Sequence, residues 1–219
     1  MAIAVHEPKV GYGEKLILEN LAFTIESGER VAILGRSGAG KSTLLNLIYA
    51  KCAPQAALVP QAHALVRTLS VFHNVYMGQL DRHSTWRNLR TLIVPNAVQK
   101  AEVEAILSLV GLSEFLFTPT GALSGGQQQR VSVARALYSQ RPILVADEPI
   151  SALDQSQGDR LLTALRQSCD TLVIALHDVR LALAHATRII ALDKGMVWLD
   201  APANTLQWHD LAPLYETSA

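Results

Sequence analysis

Cysteine is nearly missing: Cys52 and Cys169 are the only two, they form no CxxC pair, and they read as small buried hydrophobes rather than a disulfide. Charge of one sign is missing as well. Nineteen Lys and Arg balance 19 Asp and Glu, and no basic run offers the electrostatic footprint of a nucleic-acid binder. No apolar run approaches the roughly 18 residues of a membrane span, and the longest, such as Leu172 to Leu176, are strand-sized. Met1 to Val5 lacks a basic region followed by a long apolar stretch, so no signal peptide is expected. Internal repeats and low-complexity linkers are also wanting. A soluble, cytosolic protein is therefore expected, one that could act at a membrane only by docking onto other subunits.

What is plentiful is apolar side chain, 49% of 219 residues, enough for the large core of one compact domain with at most a small appended lobe. Short apolar runs at Val31–Leu34, Ile143–Ala146, Leu172–Leu176 and Arg188–Leu192 suit strands buried on both faces of a parallel sheet. Helix-length segments lie between them. One opens at Gly40-Lys41-Ser42, one runs from Gly125 to Ser139 ahead of Pro142, and one spans about Ser156 to Ser168. The alternation predicts an α/β core. Residues 1–30 depart from it: Leu21, Phe23 and Ile25 alternate with Ala22, Thr24 and Glu26, as in antiparallel strands. Residues of about 64–122 show helical periodicity at Val103, Ile106, Leu107 and Val110 and no convincing strand, which predicts an inserted helical lobe.

Gly35-Arg36-Ser37-Gly38-Ala39-Gly40-Lys41-Ser42 fits GxxxxGK[ST], after a strand and opening a helix. Glycines let successive N–H groups point at phosphate oxygens, and the helix N-terminus adds partial positive charge. Lys41 is expected at the β- and γ-phosphates and Ser42 on Mg²⁺, with nucleotide contacts running from Gly35 to Thr43. The motif specifies a nucleotide, not a particular NTPase. Ile143-Leu144-Val145-Ala146-Asp147-Glu148 is an apolar strand ending in two acids, which a parallel sheet brings beside that loop. Asp147 is the candidate for Mg²⁺, through water, and Glu148 for the general base on the attacking water.

A second glycine element, Leu123-Ser124-Gly125-Gly126-Gln127, opens another helix with Ser124 suited to cap it. Its N-terminus is a second anion site, which one ATP does not need within one protomer. Two protomers head to tail could exchange it, although by spacing alone an ordinary Ser-capped helix fits equally.

With these residues in view the chain resembles the ABC transporter ATPases over essentially its whole length. Leu123–Gln127 matches their signature motif, extended here as Gln128-Gln129-Arg130. The resemblance implies further roles: Tyr12 stacked on adenine, Gln61 as the Q-loop glutamine sensing Mg²⁺ and water, and Ser151-Ala152-Leu153-Asp154 as the D-loop. It also implies His177 as the switch histidine on the γ-phosphate, with Ser124, Gly125, Gly126 and Gln127 contacting nucleotide across a dimer. The fold implied is a P-loop (RecA-like) core with a mostly parallel sheet. A reduced N-terminal antiparallel lobe shares residues of about 1–62 and 140–219 with that core, and a helical lobe occupies about 63–139. The cofactors implied are ATP and Mg²⁺. The partners implied are ABC permease subunits, a second copy of the chain and, indirectly, a solute-binding protein, at the cytoplasmic face of the inner membrane.

Some text is more particular. Ser84–Leu89, Ala146-Asp147-Glu148-Pro149-Ile150, His177-Asp178-Val179 and Arg188–Leu192 resemble the phosphonate-importer ATPases, and the chain ends near Leu214-Tyr215 as those subunits tend to. Import of phosphonate or a related phosphorus oxyanion is the reading, although ATPase subunits do not touch cargo. A soluble ABC-type accessory of a cytosolic complex, or a transporter of another substrate, are the alternatives. A chromosome or repair ATPase head fits poorly because Lys41 and Ser124 are only 83 positions apart, too few for a long coiled coil. Two departures from the family stand out. Lys41 and Gln61 are only 20 positions apart, which predicts a trimmed antiparallel lobe, and Arg36 replaces a common proline and is expected to face solvent.

Overall fold

The apolar runs become the strands of one sheet in the computed structural model, which describes residues 2–13, 15–62, 64–151 and 153–215. His63 and Ala152, the latter of the expected D-loop, lie outside the described residues. In chain order the elements are β1 (Ile3–Tyr12), β2 (Lys15–Ile25), β3 (Arg30–Gly35), α1 (Lys41–Cys52), β4 (Ala56–Val59), α2 (Val71–Tyr76), α3 (Thr85–Ile93) and α4 (Ala97–Leu109). There follow α5 (Gly125–Ser139), β5 (Ile143–Asp147), α6 (Gln155–Ser168), β6 (Thr171–Ala175), α7 (Val179–His185), β7 (Arg188–Asp193), β8 (Met196–Pro202) and α8 (Trp208–Leu211).

Six strands form the main sheet in the order β4-β5-β6-β3-β7-β8. Every pairing is parallel except β7 with β8. Val31 to Leu34 and Val145 to Ala146 are wholly buried, as continuous apolar runs in a helix-covered sheet must be. Each fully buried Val, Leu or Ile stabilises the fold by about 1.5–3 kcal/mol, so the sheet is the rigid part to which loops are anchored. Registers Asp147↔Ala175, Ile33↔Ala175 and Gly35↔Leu192 align the carboxyl ends of β5, β6, β3 and β7. No strand is among the sequence expectations at Met196–Pro202, where β8 alternates between exposed and half-buried residues at the sheet's antiparallel edge.

β1 and β2 make a separate two-stranded antiparallel sheet, pairing Ile3 with Ile25 through Tyr12 with Lys15. Leu21, Phe23 and Ile25 face a core shared with α1, as their alternation predicts, and Leu18 joins them. This hairpin is the reduced antiparallel lobe.

Residues 64–139 form helices joined by turns and loops, with no strand and one isolated bridge, Ser70 with Pro119, among the described residues. Val103, Leu107 and Val110 of the predicted periodic stretch are buried there with Phe72, Tyr76 and Tyr138. The loop after Gln61 is tied to these helices rather than to the sheet. Wholly buried Asn74 accepts from the Val66 N–H at 2.8 Å and donates to the Val66 and Ser70 carbonyls, and Arg135 donates to the Ala64 carbonyl at 2.7 Å.

Candidate functional site

The phosphate loop closes at Gly40, the N-cap of α1, which has φ +102° and gives the helix no side-chain cap. No acid stands in the first turn either. The N–H groups there are therefore left for an anion, which a capping Ser or Asp would have occupied. Gly35 enters the loop with φ +154°, and a Cβ on it would lie 2.7 Å from the Leu192 carbonyl, so the sheet itself enforces glycine. Arg36, Ser37 and Gly38 are exposed, as expected of Arg36, while Ala39 is buried beneath them.

The Lys41 ammonium is 6% exposed and folds back on the loop, donating to the Gly35 carbonyl at 2.8 Å and the Arg36 carbonyl at 3.2 Å. Burial lowers its pKa, and the charges of Glu148 and Asp147 oppose that shift. It is thus a desolvated cation with weak neutral partners, poised to exchange carbonyls for phosphate oxygens.

An open cleft of about 300 Å³ lies over this loop, lined by Lys15, Ile17, Ser37, Gly38, Gly40, Lys41, Ser42, Thr43, Gln61 and Glu148. The structure thus gathers the phosphate loop, the candidate Q-loop residue and the candidate base on one cavity. Tyr12 sits beside it at the hairpin tip, 62% exposed, and its cross-strand partner Lys15 lines the cleft. Lys15 and Ile17 are site residues that sequence reasoning missed. No motif marks them, and only the hairpin's fold over Gly40 brings them in.

Asp147 ends β5, 5% exposed, and its Oδ1 is buried with no hydrogen-bond partner. Burial raises its pKa, the neighbouring Ser42 hydroxyl opposes this, Glu148 adds to it, and Lys41 and His177 oppose it. The orphaned carboxylate oxygen is a hard-oxygen donor beside the hydroxyl of Ser42, a residue that lines the cleft with Gln61, although Asp147 itself does not line it. Among the described residues no cluster of three or more His, Cys, Asp or Glu could hold a metal alone. A hard cation there would have one carboxylate and be completed by substrate phosphates and water.

Glu148 has φ +50°, a left-handed backbone unusual for a non-glycine residue, and its Oε1 lies 2.5 Å from Nε2 of His177. The N–H of Glu148 donates to the Ala175 carbonyl at 3.2 Å, tying the strained residue to the end of β6. His177 follows that strand, so the aligned strand ends account for the meeting of two residues 29 positions apart in sequence. A neighbouring cleft contains Glu148, Ser151, Leu153, Asp154, His177 and Asp178. Asp154 caps α6, accepting from the Gln157 N–H at 2.9 Å.

The second glycine element forms a reciprocal capping box: the Ser124 Oγ accepts from the Gln127 N–H at 3.3 Å, and the Gln127 Oε1 accepts from the Ser124 N–H at 2.8 Å. Ser124 and Gly125 are exposed, Gly126 and Gln127 half-buried. Among the described residues lining the phosphate cleft, none belongs to 124–127. The two glycine elements therefore do not share one cavity within the protomer.

The sequence family described as ABC transporter matches residues 18–151, more than half of the chain. The chain belongs to the ABC transporter family. It is an ATP-hydrolysing, nucleotide-binding member. The Phosphonates import ATP-binding protein PhnC of Pseudomonas entomophila is 38% identical over 98% of this chain and 92% of its own length. PhnC 1 of Pseudomonas syringae pv. tomato is 39% identical over 91% of this chain and 86% of its own. Among solved structures, the dimeric post-hydrolysis state of an ATP-binding cassette bound to ADP and Pi matches with a TM-score of 0.74 and 27% identity. That match covers 93% of this chain and 99% of the other. A bacterial Atm1-family ABC exporter with ATP bound matches with a TM-score of 0.77 and 25% identity, over all of this chain and 42% of the other. No helix among the described residues of this ABC ATPase is long and apolar enough to cross a membrane.

Proposed function

We propose that this ABC ATPase powers import of a phosphonate or a related phosphorus oxyanion, working as a head-to-tail dimer beneath membrane permease subunits supplied by a solute-binding protein. The observation that carries the dimer is the separation of the glycine elements: the phosphate loop has an open helix N-terminus and its own cleft, and the exposed Ser124 element lies outside it. The names of its relatives support the cargo. Residues of about 63–139 act as a helical lobe on the core of 1–62 and 140–219, with the Gln61 loop pinned to that lobe by Asn74 and Arg135.

On ATP binding, Lys41 leaves the Gly35 and Arg36 carbonyls for the β- and γ-phosphate oxygens, and the backbone N–H groups of Gly38 to Thr43 take the remainder. Ser42, Asp147 and Gln61 would hold Mg²⁺, which when bound neutralises charge on the phosphates. Glu148 takes a proton from the water whose oxygen bonds to the γ-phosphorus as the bond to the β-phosphate bridging oxygen breaks. His177 holds the Glu148 carboxylate and reaches the γ-phosphate. Tyr12 stacks on adenine. Ser124, Gly125, Gly126 and Gln127 present an N-terminus to the partner's γ-phosphate, so ATP favours the closed dimer through its extra contacts there, and Asp154 lines the same interface.

The test is reconstitution with the permease in liposomes at the cytoplasmic face. ATP-dependent uptake of an alkylphosphonate, lost in Glu148→Gln, is the expected result. A chain that purifies with cytosolic proteins alone and whose ATPase ignores every permease would instead be a soluble accessory.

A further inference from the structure

Gln129 is a buried amide that neither phosphate binding nor capping uses. It lies on α5, five residues after the helix's capping Ser124, and is 7% exposed. Its Nε2 donates to the main-chain carbonyl of Glu148. Its Oε1 accepts from the Ser151 hydroxyl at 3.2 Å. The Ser151 N–H donates to that same Glu148 carbonyl at 3.2 Å. One side chain thus ties the helix that begins at the second glycine element to both ends of the loop carrying the candidate base.

The carbonyl it grips belongs to the residue with φ +50°. A non-glycine residue persists in the left-handed region only when its surroundings over-determine it. Here the determinants are few: the Glu148 N–H on Ala175, and two donors on the Glu148 carbonyl, of which Gln129 is the only side chain among the described residues. The orientation of that peptide sets where the carboxylate points, and the carboxylate is already fixed at its far end by His177 at 2.5 Å.

The geometry points to Gln129 as a positioning residue for hydrolysis, holding the Glu148 peptide in its left-handed turn and linking that turn to the Ser124 helix. A movement of α5 then shifts the base of the same protomer, without contact between Gln129 and nucleotide. This inference rests on the assignment of Glu148 as base.

The experiment is a double-mutant cycle on the full chain with ATP and Mg²⁺. Gln129→Leu removes donor and acceptor at nearly constant volume. Its kcat should fall on the order of tenfold to a hundredfold, misplacement by about 1 Å costing roughly a hundredfold, while KM for ATP stays within about twofold. Gln129→Glu keeps the acceptor for Ser151 but loses the donor, and should fall equally. In a Glu148→Gln background the added Gln129→Leu should change residual turnover little, because the group it positions is gone. Equal proportional losses in both backgrounds, or a loss expressed in KM, would overturn the role. Wild-type kcat in Gln129→Leu while Glu148→Gln is slow would also overturn it. Normal turnover in Glu148→Gln itself would remove the base assignment instead. Gln129→Asn, which keeps an amide one methylene shorter, carries the same test if the Leu variant does not fold.

Discussion

Ser124 caps α5, the proposed dimer gives it a second employment, and a single methyl-for-hydroxymethyl exchange separates the two. In the free protomer its Oγ accepts the Gln127 N–H at 3.3 Å, so Ser124→Ala uncaps α5 and costs about 1 kcal/mol. For a chain of this length that lowers Tm by about 2–4 °C. Gln127→Ala breaks the reciprocal bond at 2.8 Å, and because the Ser124 N–H regains water at the exposed end, its effect on Tm should be smaller. In the proposed dimer the hydroxyl would also meet a phosphate charge, and a hydrogen bond to a charged group contributes about 1.5–3 kcal/mol. Two symmetric sites double this to about 3–6 kcal/mol, roughly two to four decades in dimer Kd. Sedimentation equilibrium with ATP in the Glu148→Gln background, beside thermal unfolding and nucleotide binding to monomer, reads all three quantities. Ser124→Ala should weaken the dimer a hundredfold or more with monomer binding intact, and Ser124→Arg should abolish dimers. A Tm loss with unchanged dimer Kd would reduce Ser124 to a cap. Lost monomer binding would refute a site shared between protomers.

Asp147→Asn removes a carboxylate whose ionised form burial disfavours, so at neutral pH the variant should melt at or above the wild-type temperature while Mg²⁺-dependent turnover collapses; parallel calorimetry and phosphate release check this. Gly40→Ala sets a methyl 2.4 Å from Leu18 Cδ2 at φ +102°; a loss of about 1–3 kcal/mol and weakened ATP binding are expected, and wild-type affinity by titration calorimetry would contradict the account of the loop. Burial, with help from Asp170, pushes the Cys169 thiol up to about 11, so between its unfolded value near 9 and that point the folded chain holds the proton more tightly. Stability from this group is complete below pH 9 and lost as pH rises towards 11, and Cys169 should resist alkylation at pH 9 until the chain unfolds. Alkylation of native protein at the unfolded rate would contradict it.

Much of this architecture was written locally. β3, β5, β6 and β7 are near-continuous apolar runs because both sheet faces are covered, and α5 begins and ends where Ser124 and Pro142 say it should. The phosphate loop, Asp147, Glu148 and His177 were legible because strand ends converge in any parallel sheet. Other parts depend on contacts distant in sequence. β8 is held at the sheet edge by antiparallel pairing with β7. Lys15 enters the cleft only because the hairpin packs over Gly40. Gln129 carried no role in the sequence beyond extending the signature motif, since nothing near it in sequence reveals that the Glu148 carbonyl lies opposite. In α3 the residues turned inward are Asn88 and Thr91, held by Tyr76 and Gln99, while Trp86, Leu89 and Ile93 are exposed, so reading apolar as inward there inverts the helix.

With Glu148 as the proposed base, its left-handed backbone would place catalysis and durability in opposition. Glycine would adopt φ +50° without the roughly 1–3 kcal/mol that glutamate incurs, so on that assignment the most stable chain at this position would be an inactive one. A duplicated gene released from the duty to hydrolyse ATP would have a downhill path there, towards a sturdier ATP-binding subunit that closes and does not reopen. Within a mixed pair, such a copy would still offer its Ser124 helix to an active sister, and descent could convert a symmetric engine into one with a single firing site.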